Sequence, residues 1–231
     1  MTTESTDSRP PAPASTGKVA APRSEATWPA LAAVLAVLVL QLALPDRLVA
    51  GARWLLPALV AGLLLPLLIG VRYRRHQEST WIRALTITLI AVINLANLYS
   101  IILLAYQLIH GGKAGGHELI VSSIAIWLTN VVIFGLWYWE IDRGGPGARL
   151  RPIPQPPEFL FPQMINPAIA AVNWRPSLLD YLYVSLTNAT AFSPTDTMPL
   201  SARVKTLMAV QSLASLLTVA LVAARAVNIL A

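Results

Sequence analysis

The residues best suited to functional chemistry are uncharged polar side chains near the carboxyl end of the chain. Asp180 to Asp196, DYLYVSLTNATAFSPTD, interleaves hydroxyl and amide groups with apolar residues. Further along, Gln211, Ser215 and Thr218 recur at spacings of four and three, which places them on one face of a helix. Hydroxyl and amide groups donate and accept hydrogen bonds without titrating near neutral pH. They therefore suit contact with a small solute better than acid–base catalysis.

The usual combinations of catalytic residues are missing from the sequence. All eleven acidic residues lie in the amino-terminal tail, in loops or at the ends of apolar segments. The three histidines, His76, His110 and His117, also lie between apolar segments, and cysteine is absent. No HExxH, GxSxG or phosphate-binding glycine motif occurs. We therefore expect no enzymatic activity, no cofactor and no metal site. The lack of an intramembrane carboxylate also argues against a proton-coupled pump.

Composition indicates that the partner of this chain is the lipid bilayer. The chain is 55% apolar and 12% charged, whereas soluble domains carry about 25% charged residues. Several segments approach or exceed the length of about 20 apolar residues that a spanning helix needs. The predicted spans are Trp28–Leu44, Leu48–Val71, Ala84–Ile109, Leu119–Trp139 and Ser201–Ala231. The sequence thus predicts an all-α integral membrane bundle of five transmembrane helices.

The chain divides into four parts around these spans. Residues 1–27 are rich in Pro, Ser, Thr and Ala and are predicted to form a disordered tail. Residues 28–139 are a four-helix scaffold. Residues 140–176 hold many prolines, which exclude a continuous helix and favour an extended loop. Residues 177–231 contain a short helix, a turn and the last span.

Aromatic residues near the Pro-rich loop are predicted to lie at the membrane surface. Trp137, Tyr138 and Trp139 end the fourth span and have the composition of an interfacial aromatic belt. In the loop that follows, apolar side chains are expected to dip into the headgroup region. They are Phe159, Leu160, Phe161 and Met164.

Basic residues predict the orientation of the chain. Loops 72–83 and 140–176 together hold eight arginines, whereas the loops on the opposite side hold three basic residues. Cytoplasmic loops are enriched in Arg and Lys. We therefore expect a cytoplasmic amino terminus in the inner (plasma) membrane of a bacterium, the source that an Arg-, Ala- and Leu-rich composition favours. The same loops account for the net charge of +6 without a nucleic-acid partner.

The segment after the Pro-rich loop is predicted to be a short helix and a turn. Pro176, Ser177 and Asp180 have the pattern of a helix start, and a helix of three to four turns is too short to span. A turn around Pro194 follows, and Asp196 is placed to cap a last helix that begins near Pro199. This is the layout of a re-entrant loop, which is tolerated at membrane depth only when protein shields it or it lines water.

Residues 183–196, YVSLTNATAFSPTD, resemble the pore helix and filter of tetrameric potassium channels, whose form is YFSFVTLTTVGYGD. The two align without a gap and match at Tyr183, Ser185, Thr190 and Asp196. The resemblance covers only the end of the chain, roughly residues 180–231. Residues 191–195, AFSPT, take the place of the filter TVGYG, and both glycines are replaced. Because glycine permits the backbone that points successive carbonyls at the ion, no potassium-selective filter is expected.

The polar residues and the resemblance together predict a channel-like protein that passes a monovalent ion through a homo-oligomeric pore. The candidate pore-lining residues are Thr187, Asn188, Thr190, Ser193, Thr195, Asp196, Gln211, Ser215 and Thr218. The alternative is a non-conducting scaffold or assembly protein in which such side chains join helices to one another, as Asn94, Asn97, Thr129 and Asn130 of the spans are expected to do. A small-solute carrier is a third, weaker possibility.

Overall fold

The fold is almost entirely helical, which confirms the all-α prediction. The computed structural model describes residues 28–49, 51, 54–62, 64, 80–110, 116–150, 155–171, 174–190 and 196–230. The predicted tail, residues 1–27, lies outside the described residues. The described helices are α1 (Trp28–Leu42), α2 (residues 55–62), α3 (Thr80–His110), α4 (Gly116–Ile141), α5 (Pro162–Ile165), α6 (Leu178–Thr190) and α7 (Ala202–Leu230). Two short strands, β1 (Phe159–Leu160) and β2 (Met198–Pro199), pair antiparallel.

Within the described residues, three helices are long and apolar enough to cross a membrane. They cover Thr80–His110, His117–Gly144 and Ala202–Ala224, and so match the predicted third, fourth and fifth spans. Helix α1 is apolar but has 15 residues, fewer than the ~20 that a bilayer requires. The predicted second span is described only in part. Three candidate spans are therefore established, and the number of five stays a prediction.

Helix α4 is the centre of the bundle, because α1, α3, α6 and α7 all pack against it. At its amino end, Glu118 forms an ion pair with Arg47, which follows α1. At its other end, the Glu140 carboxylate lies 3.8 Å from Nε of Arg83, near the start of α3. Helices α3 and α4 therefore run antiparallel. We call the end of the bundle where α4 finishes the loop end.

The apolar core forms two clusters at different heights along α3 and α4. The cluster nearer the loop end contains Ile93 of α3 and Ile133 and Phe134 of α4, with Val204 of α7. The other contains Ile101 and Leu104 of α3, Ile126 of α4 and Ala214 of α7. Several polar side chains of these helices, among them Asn97, Asn130 and Gln211, lie between the two clusters in sequence.

The Pro-rich loop packs onto the bundle, which corrects the expectation that its aromatic residues enter the headgroup region. Phe159 is fully buried and Phe161 is 3% exposed. Both rings contact Tyr181, with centroids 5.9 and 5.5 Å away. Strand β1 then pairs with β2, so Leu160 lies opposite Met198. The loop therefore joins the end of α4 to the starts of α6 and α7.

The carboxylate of Asp142 holds this loop against the bundle through hydrogen bonds. It is fully buried and accepts hydrogen bonds from the backbone N–H of Glu158 at 2.7 Å and from the Tyr181 hydroxyl at 2.6 Å. Arg149 donates to the carbonyl oxygens of Trp139 and Asp142 at 2.8 and 3.0 Å. Such hydrogen bonds from side chains to the backbone fix the conformation of a segment that is neither helix nor strand. The composition of the loop does not reveal them.

The last helix begins later than expected and has a different cap. Pro199 belongs to β2, and α7 starts at Ala202. The hydroxyl of Ser201 accepts a hydrogen bond from the Val204 N–H at 3.3 Å, which is the geometry of a serine N-cap. Asp196 is exposed, and strand β2 lies between it and Ser201. The prediction that Asp196 caps the last helix is therefore wrong.

Candidate functional site

The candidate site is organised by α6, whose start is fixed by a capping box. Asp180 Oδ2 accepts hydrogen bonds from both the backbone N–H and the hydroxyl of Ser177, each at 2.7 Å. The motif Ser177-Leu-Leu-Asp180 thus satisfies the N-cap amide through an acidic residue in the first turn. The predicted helix start is confirmed. From there α6 runs along α4, starting at the loop end.

A glycine in α4 lets α6 approach closely. A Cβ atom on Gly135 would lie 2.6 Å from Leu182 Cδ2 and 3.1 Å from Leu182 Cα. At that contact α6 is so near that the Ser185 hydroxyl donates to the Val131 carbonyl oxygen at 2.6 Å. The small residue therefore brings the polar face of α6 within hydrogen-bonding distance of α4.

Gln211 of α7 is the centre of the site, and every polar group on its side chain is bonded. Its Nε2 donates to the Ser185 hydroxyl at 2.6 Å and to the Ser185 carbonyl at 2.9 Å. Its Oε1 accepts from the Tyr138 hydroxyl at 2.5 Å and from Asn188 Nδ2 at 2.8 Å. The side chain has no exposed surface. One amide thus joins α4, α6 and α7.

Asn188 extends this arrangement along α7. Its Nδ2 also donates to the Met208 carbonyl at 2.9 Å, and its Oδ1 accepts from the Ser212 hydroxyl at 3.1 Å. We call Tyr138, Ser185, Asn188, Gln211 and Ser212 the Gln211 network. All five side chains are neutral, so the network joins helices without placing a charge in the bundle.

Ser215 and Thr218 lie beside the network on the same face of α7. Ser215 is 1% exposed and its hydroxyl accepts from Asn130 Nδ2 of α4 at 2.9 Å. Thr218 is 2% exposed and donates to the Ala214 carbonyl of its own helix at 2.8 Å. Both residues and Gln211 face the chain's own interior, so the polar stripe of α7 packs against protein.

The remaining predicted pore-lining residues lie near the carboxyl end of α6. Thr187 donates to the Tyr183 and Val184 carbonyls, both at 2.9 Å, and Thr190 donates to the Thr187 carbonyl at 3.0 Å. Both are partly exposed. Asp196 is exposed, while Ser193 and Thr195 lie outside the described residues. The structure thus brings Asn188 and Gln211 together and leaves the threonines at the edge of the site.

Three members of the network were not among the predicted site residues. Ser185 lies one turn before Asn188, and Ser212 follows Gln211, so both were adjacent to predicted positions. Tyr138 was assigned to an interfacial belt, yet it is fully buried and bonds Gln211. The belt assignment is wrong for Tyr138, and for Trp139, which is 6% exposed. No local pattern links Tyr138 to a helix that follows so much later in the chain.

Comparisons with protein-family models, with curated proteins and with solved structures found no match for this chain. The resemblance of residues 183–196 to potassium-channel pore segments therefore stays a prediction from the sequence. Among the described residues, no group of three or more His, Asp or Glu side chains is placed to hold a metal ion. Function is inferred below from the geometry of the described helices.

Proposed function

We propose that this chain is a channel-like integral membrane protein in which α6 is a re-entrant half-helix. Copies of the chain would assemble so that the segment around the end of α6 borders a path for a small monovalent ion. The observation that supports this proposal is the depth at which α6 ends, measured against the two long helices that flank it.

That depth follows from the hydrogen bonds of α6. Ser185 bonds Val131, which lies about 15 Å from the end of α4 at 1.5 Å per residue. Asn188, near the carboxyl end of α6, bonds Gln211, about 14 Å from the start of α7. Helix α4 has 26 residues, and so is about 39 Å long. Helix α6 therefore enters from the loop end and stops close to the middle of both neighbours.

The chain then returns to the end from which it entered. Met198 pairs with Leu160 of the Pro-rich loop, and Leu200 N–H donates to the Glu158 carbonyl at 2.8 Å. A half-helix that enters and leaves on one side is how a membrane protein brings irregular backbone to mid-depth. The negative end of the α6 dipole would lie there, which favours a cation.

A bilayer setting is supported by the outer faces of the long helices. Large apolar side chains on α3 and α7 are exposed, among them Leu95 at 66%, Ile102 at 63%, Leu213 at 67% and Leu216 at 62%. Apolar surfaces of this extent are uncommon on soluble monomers. Because the polar stripe of α7 is buried inside the chain, a pore would have to form between copies. Its border would then include Thr190 and Asp196 rather than Gln211.

Ion flux in liposomes tests the proposal. Purified protein should pass a monovalent cation, and Thr190→Val should change the flux. The matched control is Thr86→Val in α3, because Thr86 also bonds only its own helix, at 3.0 Å to Ile82 O, and belongs to a different helix. A protein that is monomeric on cross-linking in liposomes and passes no ion would overturn the proposal.

The alternative is a non-conducting scaffold or assembly protein, and one observation favours it. The polar groups of Gln211 and Asn188 are occupied by bonds within one chain. Such bonds explain polar residues in spans without any path. Folded protein that passes no ion, whether or not it forms oligomers, would support this alternative.

A cysteine scan separates the two functions further, since the chain has no cysteine. Leu179→Cys, at the exposed start of α6, should react with a membrane-impermeant thiol reagent from the loop end. Thr190→Cys should react from the same side if its segment borders water. A Thr190 cysteine protected in every preparation would favour the scaffold.

A further inference from the structure

A second group of polar side chains, on α3 and α4, has buried atoms with no partner in the part of the chain that the structure describes. Asn97 is fully buried, and neither its Nδ2 nor its Oδ1 makes a hydrogen bond. The fully buried Thr129 hydroxyl also makes no hydrogen bond with the described residues. The same holds for Oδ1 of Asn94 and Oδ1 of Asn130. We call these four residues the polar seam.

Three members of the seam lie between the two apolar clusters, and the fourth, Asn94, lies about one turn from Asn97 towards the loop end. Asn97 is midway between Ile93, which packs in the cluster near the loop end, and Ile101, which packs in the other. On the antiparallel helix α4, Thr129 and Asn130 are likewise between Ile126 and Ile133 of the same two clusters. Since α3 packs against α4, the seam forms a polar layer between two apolar ones.

Unbonded polar atoms in such a place require a partner. Buried amide and hydroxyl groups are nearly always hydrogen-bonded, because removing them from water without replacement is costly. The isoleucines that flank the seam, Ile93 and Ile101 on α3 and Ile126 and Ile133 on α4, supply no side-chain donor or acceptor. Asn130 shows that the layer permits good geometry, since its Nδ2 donates to Ser215 at 2.9 Å.

The unbonded atoms identify the chemistry of that partner. The seam offers donors, the Asn97 amide and the Thr129 hydroxyl, together with acceptors, the three Asn Oδ1 atoms. A cation would use only the oxygens, and an anion would use only the donors. A neutral molecule that both donates and accepts fits the set, and the smallest is water, which makes about three such bonds when buried.

We propose that the polar seam binds water, which joins α3 to α4 at mid-depth. The unbonded atoms of the seam take no part in the Gln211 network, although Asn130 Nδ2 also lies 3.5 Å from the Gln211 carbonyl oxygen, and the site does not depend on the proposed channel function. It gives the bundle a hydrated layer between α3 and α4, whereas α6 is held by direct bonds.

Radiolytic labelling tests this site in the full-length protein in nanodiscs. Hydroxyl radicals formed from a bound water oxidise the buried side chains beside it, and mass spectrometry locates the products. Ile93 is 1% exposed and Ile101 is 3% exposed, one turn on either side of Asn97. They should be oxidised several-fold faster than Val204, which is fully buried at the loop end.

Substitutions complete the test. Asn97→Leu and, separately, Thr129→Val should reduce oxidation of Ile93 and Ile101 to the rate of Val204, while the Val204 rate itself is unchanged. Two variants are used because either one alone could disturb folding, and the Val204 rate reports on that. Equal oxidation of all three residues in the unaltered protein would overturn the proposal, as would rapid oxidation that persists in both variants.

Discussion

The Gln211 network and the polar seam contain the same kinds of side chain at similar depth, yet only one is internally bonded. In the network, Gln211 makes four bonds to three partners on two other helices. In the seam, Asn97 makes none within the described chain. Residue type and burial are therefore insufficient to decide how a polar group in an apolar bundle is satisfied. The close approach of α6 to α4 at Gly135 accounts for the bonds of the network.

The approach is close because α6 faces a glycine. Leu182 sits against Gly135, which brings the α6 backbone close enough for Ser185 to reach a carbonyl of α4. Helices α3 and α4 pack against each other through branched side chains, among them Ile93, Ile101 and Ile126, all nearly fully buried. Branched side chains of this size leave space between polar groups that a small molecule can bridge. The network thus holds α6 by direct hydrogen bonds, whereas the polar groups of the seam need a bound molecule to complete their hydrogen bonds.

The largest effect is expected from Gln211→Leu. The substitution removes all four hydrogen bonds of the Gln211 amide, each worth about 1 kcal/mol, and it leaves the buried Tyr138 hydroxyl without its acceptor, which costs about 1–3 kcal/mol. We expect a loss of about 3 kcal/mol or more in the free energy of unfolding, measured by denaturant titration in detergent. Gln107→Leu is the matched control, because Gln107 is also an amide on a long helix but makes only one long bond, 3.3 Å to Arg47 O, and its Oε1 makes none within the described residues. Equal losses in both variants would show that the network carries no special stability.

Gly135→Ala tests the close approach itself. The new methyl group would overlap Leu182, whose Cα cannot move without shifting α6. Overpacking of this kind costs about 1–3 kcal/mol, and the shift should lengthen the Ser185 bond to α4. Gly62→Ala is the control, since a Cβ there meets nothing within 4 Å. The midpoint temperature of thermal unfolding should fall for Gly135→Ala and not for Gly62→Ala. An unchanged midpoint in Gly135→Ala would mean that α6 tolerates a wider spacing from α4.

How much of this was predictable from the sequence differs between the two regions. The helix start at Ser177 and Asp180 follows from local spacing and was predicted correctly. Spacing also placed Gln211, Ser215 and Thr218 on one face of α7, although they were predicted to line a pore. The partners of Gln211 were not predicted, because Tyr138 lies 73 residues away in the chain and nothing local indicates the contact. Phe159 and Phe161 were misplaced for a related reason. A Pro-rich composition excludes a continuous helix but says nothing about the Asp142 bonds that fold the loop inward.

Tyr138→Phe is expected to have a smaller effect within the network. It removes one hydroxyl, while Gln211 Oε1 keeps its bond from Asn188 at 2.8 Å. A single net hydrogen bond contributes about 1 kcal/mol, so the unfolding free energy should fall by that amount. A loss as large as that of Gln211→Leu would mean that Tyr138, rather than Gln211, is the centre of the network.

The smallest effect, and the one whose sign matters most, is expected from Thr129→Val in the seam. If the hydroxyl binds water, the substitution loses a mediated bond and lowers the unfolding free energy by up to about 1 kcal/mol. If the hydroxyl is dry, removing an unpaired buried group should raise stability instead.

A double-mutant cycle isolates this effect. Asn97→Leu and Thr129→Val should show a coupling energy of at least about 0.5 kcal/mol, because both bind the same water. Asn97→Leu and Tyr138→Phe should be additive, because Tyr138 belongs to the bonded network on the other side of α4. Coupling in the second pair as strong as in the first would show that the two regions act as one polar layer, and the distinction between direct bonds and bound water would no longer hold.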